Sequence, residues 1–182
     1  MQKKYSLRTL LLALVLLVAL SGLASAAVSV EAGRKNFDLS TMSYVLEDNV
    51  VVDFGSRVIR ADKAKVKLAS MEVWAEGSIT LTQEGLTFSG DSLYASNADK
   101  TAFVQGSTVF DTNGLHITAD NASYNWQTKI ASFTGNVVLD QEGTVSSLTS
   151  LKYHVIDNRF IEKDGAEVNE PGPAGTKIED KK

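Results

Sequence analysis

The 182-residue chain contains no cysteine, only two prolines and only two histidines. Without cysteine it forms no disulfide, so its stability must come from a packed core and backbone pairing. The two histidines, His116 and His154, lie near neither a second histidine nor a cysteine, and we interpret both as surface residues. The sequence contains no Gly-x-Ser-x-Gly nucleophile elbow, no phosphate-binding loop and no His-Glu-x-x-His zinc-binding motif. We therefore predict a protein that is not an enzyme and that has no cofactor and no metal site.

Long apolar runs are also scarce, and the one that exists lies near the N-terminus. Lys3, Lys4 and Arg8 precede an apolar run at residues 10–20, and the small residues 24–26 follow it. This order is typical of a cleaved export signal, and the run is short for a membrane span, which takes about 20 residues. We predict a signal peptide over residues 1–26; a retained N-terminal anchor is the alternative.

Basic residues are in the minority once the signal is set aside. The remainder carries 15 lysines and arginines against 22 acidic residues. This balance argues against nucleic acid as a partner. We predict one domain over residues 27–168, and a disordered tail over residues 169–182, which have almost nothing to bury.

The chain does have a gap-free internal repeat of 29 residues, with units that start at Asp48, Gly77, Gly106 and Gly135. Within each unit, apolar and β-branched residues alternate, and turn sequences such as Gln-Glu-Gly separate the alternating segments. Period two predicts β-strands, and a constant period predicts stacked supersecondary units. The sequence therefore predicts an all-β fold of stacked 29-residue antiparallel repeats, open at both ends.

An aspartate recurs in the middle of the units, at Asp62, Asp91 and Asp120. A small residue precedes each of them, and the apolar alternation changes phase at this point, which indicates a bulge or corner in the strands. A ladder of calcium sites or paired acid/base carboxylates would also use aspartates. A calcium site needs several more oxygens than one column offers, so we favour a structural role, with the carboxylates accepting backbone N–H bonds.

The alternating apolar residues of the strands form either a sealed core or an apolar slot that runs along the stack. If two sheets of the stack splay apart, their facing side chains line a groove for an apolar ligand. The candidate ligand-binding residues are Val50, Val52, Ile59, Ile79, Leu81, Phe88, Phe110, Ile117, Val137 and Leu139.

Several short motifs recur at the same spacing behind the predicted signal. They include Asn-Val-Val-Val at residues 49–52, Ile-Arg-Ala-Asp-Lys-Ala at residues 59–64, Leu-His-Ile-Thr-Ala-Asp at residues 115–120 and Gly-Asn-Val-Val-Leu at residues 135–139. Together with residues 31–39, they make the chain resemble the OstA-like/LptA family of lipopolysaccharide transport proteins. The sequence departs from the repeat at Gly33 and Thr149, where the pattern calls for aspartate.

The resemblance implies a twisted β-jellyroll that binds the acyl chains of lipopolysaccharide in the periplasm. It also implies a bridge that carries lipopolysaccharide from the inner-membrane ABC transporter complex to the outer-membrane translocon. The implied partners are LptC-like and LptD-like jellyroll domains, joined by edge-strand pairing, and further copies of the chain, joined end to end. Three alternatives stay open: an LptC-like membrane-anchored component, a structural β-repeat envelope protein that binds no lipid, and a carbohydrate-processing β-repeat enzyme.

Overall fold

The computed structural model describes residues 28–112, 114–165 and 167–169. The predicted signal peptide lies outside these residues, as does the predicted tail apart from Asn169. Among the described residues, no helix is long and apolar enough to cross a membrane. Twelve β-strands occur in the described part of the chain, which confirms the all-β prediction. They are β1 (Ser29–Glu31), β2 (Arg34–Asp38), β3 (Ser43–Asp53), β4 (Val58–Lys67), β5 (Glu72–Gln83), β6 (Leu86–Ser96), β7 (Thr101–Thr112), β8 (Leu115–Asn125), β9 (Ile130–Gln141), β10 (Thr144–His154), β11 (Arg159–Asp164) and β12 (Glu167–Asn169).

The strands form a single antiparallel sheet in which β3 to β10 pair in chain order. Two short strands share each end of the sheet. β1 pairs with the C-terminal half of β3 and β2 with its N-terminal half, while β11 and β12 divide β10 in the same way. Each end of the sheet is therefore a composite edge made of two strands.

The sheet folds over on itself into two layers. β6 and β9 are three places apart in the sheet, which in a flat sheet would separate them by about 14 Å. Yet the ring centroids of Phe88 on β6 and Phe133 on β9 lie 6.3 Å apart. Phe110 on β7 and Tyr153 on β10 are equally far apart in strand order, and their centroids lie 6.2 Å apart. These contacts exist because each long strand bends and places its two halves in opposite layers.

The bend occurs where the register of neighbouring strands shifts. We call this place the corner row; it contains Asp62, Asp91 and Asp120 and the glycines that face them, Gly77, Gly106 and Gly135. The register between β5 and β6 shifts between Glu76 and Ile79, and comparable shifts occur in the other long pairs. Because each long strand passes through this row, the two layers are covalently joined along that side. The first layer contains the half-strands 50–53, 58–61, 79–83, 86–90, 108–112, 115–119, 137–141 and 144–148, and the second layer contains the other halves.

The opposite side of the fold has no such covalent link, and we call it the seam. Hairpin turns of both layers meet there. In the first layer the tight turns at Glu84–Gly85 and Glu142–Gly143 have positive φ at both residues, as a two-residue hairpin with the twist of β-strands requires. In the second layer the hairpins have four-residue turns, at residues 39–42, 68–71, 97–100, 126–129 and 155–158.

The N-terminal end of the stack is less buried than the repeat pattern predicts. Phe37 and Leu39 fall in apolar columns of the repeat, but they are 46% and 77% exposed. Phe37 packs instead against Tyr44, with ring centroids 4.9 Å apart. Phe37 lies on β2, which is the outermost strand at this end of the sheet, and Leu39 lies in the turn that follows β2. No neighbouring strand of the described residues therefore covers these two side chains.

Candidate functional site

The ten candidate ligand-binding residues all lie on the first layer and point into the space between the layers. Each of them is at most 2% exposed. The facing wall comes from the second layer, and it belongs to the same continuous apolar cluster. The largest side chains of that wall are Leu46, Val66, Val73, Leu93, Val104, Tyr124, Phe133, Leu151 and Tyr153.

Aromatic rings fill the interior between β6 and β10. Phe88 and Phe110 of the first layer have centroids 4.7 Å apart, and Phe110 lies 5.4 Å from Phe133 of the second layer. Tyr124 adds a ring 5.6 Å from Phe88, and burial raises the pKa of its hydroxyl group. Centroid distances of 4.5 to 7 Å are those of packed aromatic pairs. In this conformation the aromatic half of the interior is a closed core.

The interior is less well filled where β4 and β5 of the first layer face β6 and β7 of the second layer. A cavity of about 20 Å³ lies there between the layers, next to the seam. That volume is enough for about one water-sized molecule, so an acyl chain would fit only after the layers part. Its lining residues are Phe54, Arg57, Ile59, Met71, Leu81, Ala95, Asn97, Ala102 and Trp126.

Two contacts hold the layers together across the seam. The guanidinium carbon of Arg57, in the first layer, lies 4.1 Å from the ring centroid of Trp126, in the second. Nζ of Lys129 lies 4.0 Å from Oε2 of Glu84. Both contacts join hairpin turns of opposite layers. A cation–π contact contributes about 0.5–2 kcal/mol and an exposed ion pair less than about 1 kcal/mol, so these two polar contacts across the seam are weak.

One polar side chain points into the interior without a partner. Gln83, the last residue of β5, is 3% exposed, and its Oε1 atom accepts no hydrogen bond from any described residue. A buried acceptor without a partner costs about 1–3 kcal/mol. Gln83 directly precedes the exposed Glu84 of the first-layer turn, so this buried acceptor belongs to the end of β5 next to the seam.

The corner row pairs each aspartate of the repeat with a glycine that has positive φ. The pairs are Asp62 with Gly77, Asp91 with Gly106, and Asp120 with Gly135. A Cβ atom built on Gly106 would lie 2.3 Å from Oδ2 of Asp91, and the other two pairs are as close. The carboxylates therefore pack directly on the glycine backbone, which supports the structural interpretation of this row. The sequence led us to expect that these carboxylates accept backbone N–H bonds. The donor to Oδ2 of Asp120 is instead the side-chain amide of Asn136, at 2.9 Å. Among the described residues, no group of three histidine, aspartate or glutamate residues could hold a metal ion.

The two departures from the repeat are compensated at the corners where they occur. Gly33 stands where aspartate is expected, and it faces Asp48, which occupies the glycine position with a φ of 66°. The pair is thus reversed, with a 2.7 Å hydrogen bond from the Gly33 N–H to the Asp48 carbonyl. At the last corner Thr149 takes the aspartate position and packs against Gly165, which has a φ of 74°.

Both histidines form local pairs with aspartates at the surface. Nδ1 of His116 lies 2.6 Å from Oδ1 of Asp111, and Nδ1 of His154 lies 3.3 Å from Oδ2 of Asp157. The His116 pair is half exposed. Neither histidine belongs to the buried apolar cluster between the layers.

No motif or repeat of the sequence marks Arg57 or Glu84 as a functional residue. Arg57 lies in the connection between β3 and β4, where the repeat has no constant residue. Its contact with Trp126 joins residues 69 positions apart, and no local pattern signals such a contact.

The chain is similar to several solved structures but matches no family model and no curated protein. A crystal structure of LptH, the LptA-homologous periplasmic component of the lipopolysaccharide transport device of Pseudomonas aeruginosa, matches over 81% of this chain and 91% of that chain. The sequence identity is 15% and the TM-score 0.33. Both values are too low to support an inference about function.

Proposed function

We propose that this protein is a non-enzymatic periplasmic carrier that holds the acyl chains of lipopolysaccharide between its two layers. In this role it acts as a bridge between the inner-membrane transporter complex and the outer-membrane translocon. The observation that carries the proposal is the continuous apolar interior, which runs from β3 to β10 with one non-covalent side. The OstA-like motifs along the same strands point in the same direction.

The energetics of acyl chains explain why such an interior suits this task. An acyl chain of a dozen carbons exposed to water costs about 10 kcal/mol, at ~0.8 kcal/mol per CH₂. A carrier must therefore offer apolar surface throughout the crossing. The inward valine, leucine, isoleucine and phenylalanine side chains supply that surface on successive strands.

The closed interior implies that binding opens the fold, and the topology restricts where it opens. The corner row joins the layers covalently in every long strand, so the layers part only at the seam. There the Arg57–Trp126 and Glu84–Lys129 contacts must break. These are small costs beside the transfer free energy of an acyl chain.

The two composite edges suit docking by strand addition. The outer edges of β1 with β2, and of β11 with β12, carry backbone N–H and C=O groups that no described strand pairs. Unpaired edges template the addition of a strand from a partner. In the proposed bridge, LptC-like and LptD-like domains and further copies of this chain add at these edges.

Native mass spectrometry of the chain from Ala27, purified from a lipopolysaccharide-producing host, tests the proposal. We expect an adduct with the mass of an acylated glycolipid. The variant Ala102→Phe fills the cavity from a residue that is 1% exposed, and it should lower the adduct fraction. Val138→Phe, on the exposed outer side of β9, is the matched control and should leave it unchanged.

A lipid-free protein that takes up no lipopolysaccharide when offered would refute the carrier function. The aromatic packing between β6 and β10 specifically favours the second candidate, a structural envelope protein with a sealed core. That candidate predicts no adduct in any variant. Detection of the chain in the membrane fraction with residues 1–26 retained would instead favour the LptC-like anchored component.

A further inference from the structure

The cavity next to the seam combines an apolar floor with a cation at its mouth. Ile59, Leu81 and Ala102 form part of the floor, and Arg57 and Trp126 stand at the mouth. Amphiphiles have the same arrangement, because an apolar chain ends in a polar headgroup. The seam cavity is therefore complementary to the junction between the chain and the headgroup of such a molecule.

Arg57 differs from the arginines near the two ends of the sheet. Arg34 pairs with Glu47 and Asp48, and Arg159 lies near Asp157. Among the described residues, Arg57 makes no ion pair, and its close contact is with the face of Trp126. Burial lowers the pKa of its guanidinium group, while Tyr124 and the charge of Glu84 raise it. Within the described part of the chain, no carboxylate pairs with the N–H donors of this half-buried cation.

We infer that Arg57 binds the anionic headgroup of an acyl amphiphile whose chain enters between the layers at the seam cavity. This inference rests on the proposed function and adds the chemical class of the headgroup and the position of the opening. A phosphate or carboxylate oxygen would accept the guanidinium N–H bonds, which are strong when the acceptor is charged. The indole ring of Trp126 would remain as an apolar contact for the first carbons of the chain.

The position of the cavity explains why a chain would enter here first. Aromatic rings fill the interior between β6 and β10, so entry there would require several close ring contacts to separate. Next to β3 and β4 the packing already leaves a gap. Fewer contacts are lost when the layers part at this end.

The test compares binding of dodecyl phosphate with binding of the neutral dodecyl maltoside, both below their micelle concentrations, by isothermal titration calorimetry on the mature chain. Replacing Arg57 by glutamine should weaken binding of dodecyl phosphate about tenfold, as expected for the loss of one charge-assisted hydrogen bond. Binding of dodecyl maltoside should not weaken, because the apolar floor is intact and the loss of the Arg57–Trp126 contact only lowers the cost of opening. Arg57→Lys keeps the charge and should bind dodecyl phosphate more tightly than Arg57→Gln does.

Arg60→Gln is the matched control, since Arg60 is an exposed residue of β4 and its loss changes the net charge equally. It should leave both affinities unchanged. Equal weakening of both ligands in Arg57→Gln, or an equal effect of Arg60→Gln, would overturn the headgroup role and leave the carrier function standing. A wild-type chain that binds neither amphiphile would overturn the carrier function together with this inference.

Discussion

The corner row allows a quantitative test of how the strands bend. We consider Gly106→Ala, which places a methyl group at a φ of 75° and 2.3 Å from Oδ2 of Asp91. Alanine in this backbone region costs about 1–2 kcal/mol, and the steric conflict adds about 1–3 kcal/mol as in overpacked cores. We therefore expect Gly106→Ala to lower the free energy of unfolding by about 2–5 kcal/mol.

A matched control separates the two contributions. Gly85 has a similar φ of 83°, but a Cβ atom there would meet nothing within 4 Å. Gly85→Ala should therefore cost only the backbone term, about 1–2 kcal/mol. Urea denaturation followed by circular dichroism measures both variants, and a domain of this size has a slope of about 1–3 kcal/mol per molar urea. The midpoint of Gly106→Ala should lie below that of Gly85→Ala, by an amount that reports the contact with Asp91.

The reversed first corner supplies a rescue experiment. Asp48 adopts a φ of 66° opposite Gly33, so an aspartate is tolerated in the glycine position when a glycine faces it. The double variant Asp91→Gly with Gly106→Asp should thus be more stable than Gly106→Asp alone. If Gly106→Ala is no less stable than Gly85→Ala, or the double variant is no more stable than Gly106→Asp, the packing account of the corner is wrong.

Three further predictions concern the seam and the ends of the chain. In the first, Glu84 and Lys129 are replaced by cysteines and joined by a bismaleimide with a disulfide in its spacer; the chain has no other cysteine. The cross-linked protein should take up no acyl lipid until a reductant cleaves the spacer, and uptake by the cross-linked protein would refute opening at the seam. Hydrogen bonds from Ser40 and Thr41 lower the pKa of Asp38 to about 2, so the ionised Asp38 should stabilise the fold above pH 3.8 and lose this effect as the pH falls toward 2. Asp38→Asn should remove this part of the acid dependence of the melting temperature, and an unchanged pH profile in the variant would contradict the assignment. Deleting residues 170–182 should leave the melting temperature unchanged, and a clear decrease would show that the tail contributes to the fold.

The sequence predicts local features of this fold well, because they depend on short-range physics. The alternation of apolar residues gave the strands, and the phase change before Asp62, Asp91 and Asp120 gave the corners. Glycine after glutamate marked the turns at Gly85 and Gly143, where both turn residues have positive φ. Each of these signals is contained within a few consecutive residues.

What the sequence did not predict depends on how distant strands meet. The repeat places Phe37 and Leu39 in apolar columns, but only the strand order shows that nothing covers them. Likewise, the sequence predicts inward side chains such as Phe88 without indicating whether the facing layer touches them. The pairing of Arg57 with Trp126 depends on the twist that brings the turn after β3 opposite the turn after β8.

The balance between closed and open layers is the central physical question for the proposed carrier. A perfectly packed interior would be stable but would admit a chain only at the cost of many contacts, whereas a permanent groove would expose apolar surface to water. This fold lies between the two. Aromatic rings fill the interior toward β10, whereas the interior toward β3 holds the seam cavity and a Gln83 Oε1 atom that accepts no hydrogen bond from the described residues. An acyl chain that enters at the cavity replaces water contacts with apolar ones, CH₂ by CH₂. The free energy gained by burying each CH₂ group offsets the cost of separating the next pair of facing side chains. On the proposed mechanism the interior would therefore open progressively along the stack, from the seam cavity toward the aromatic rings.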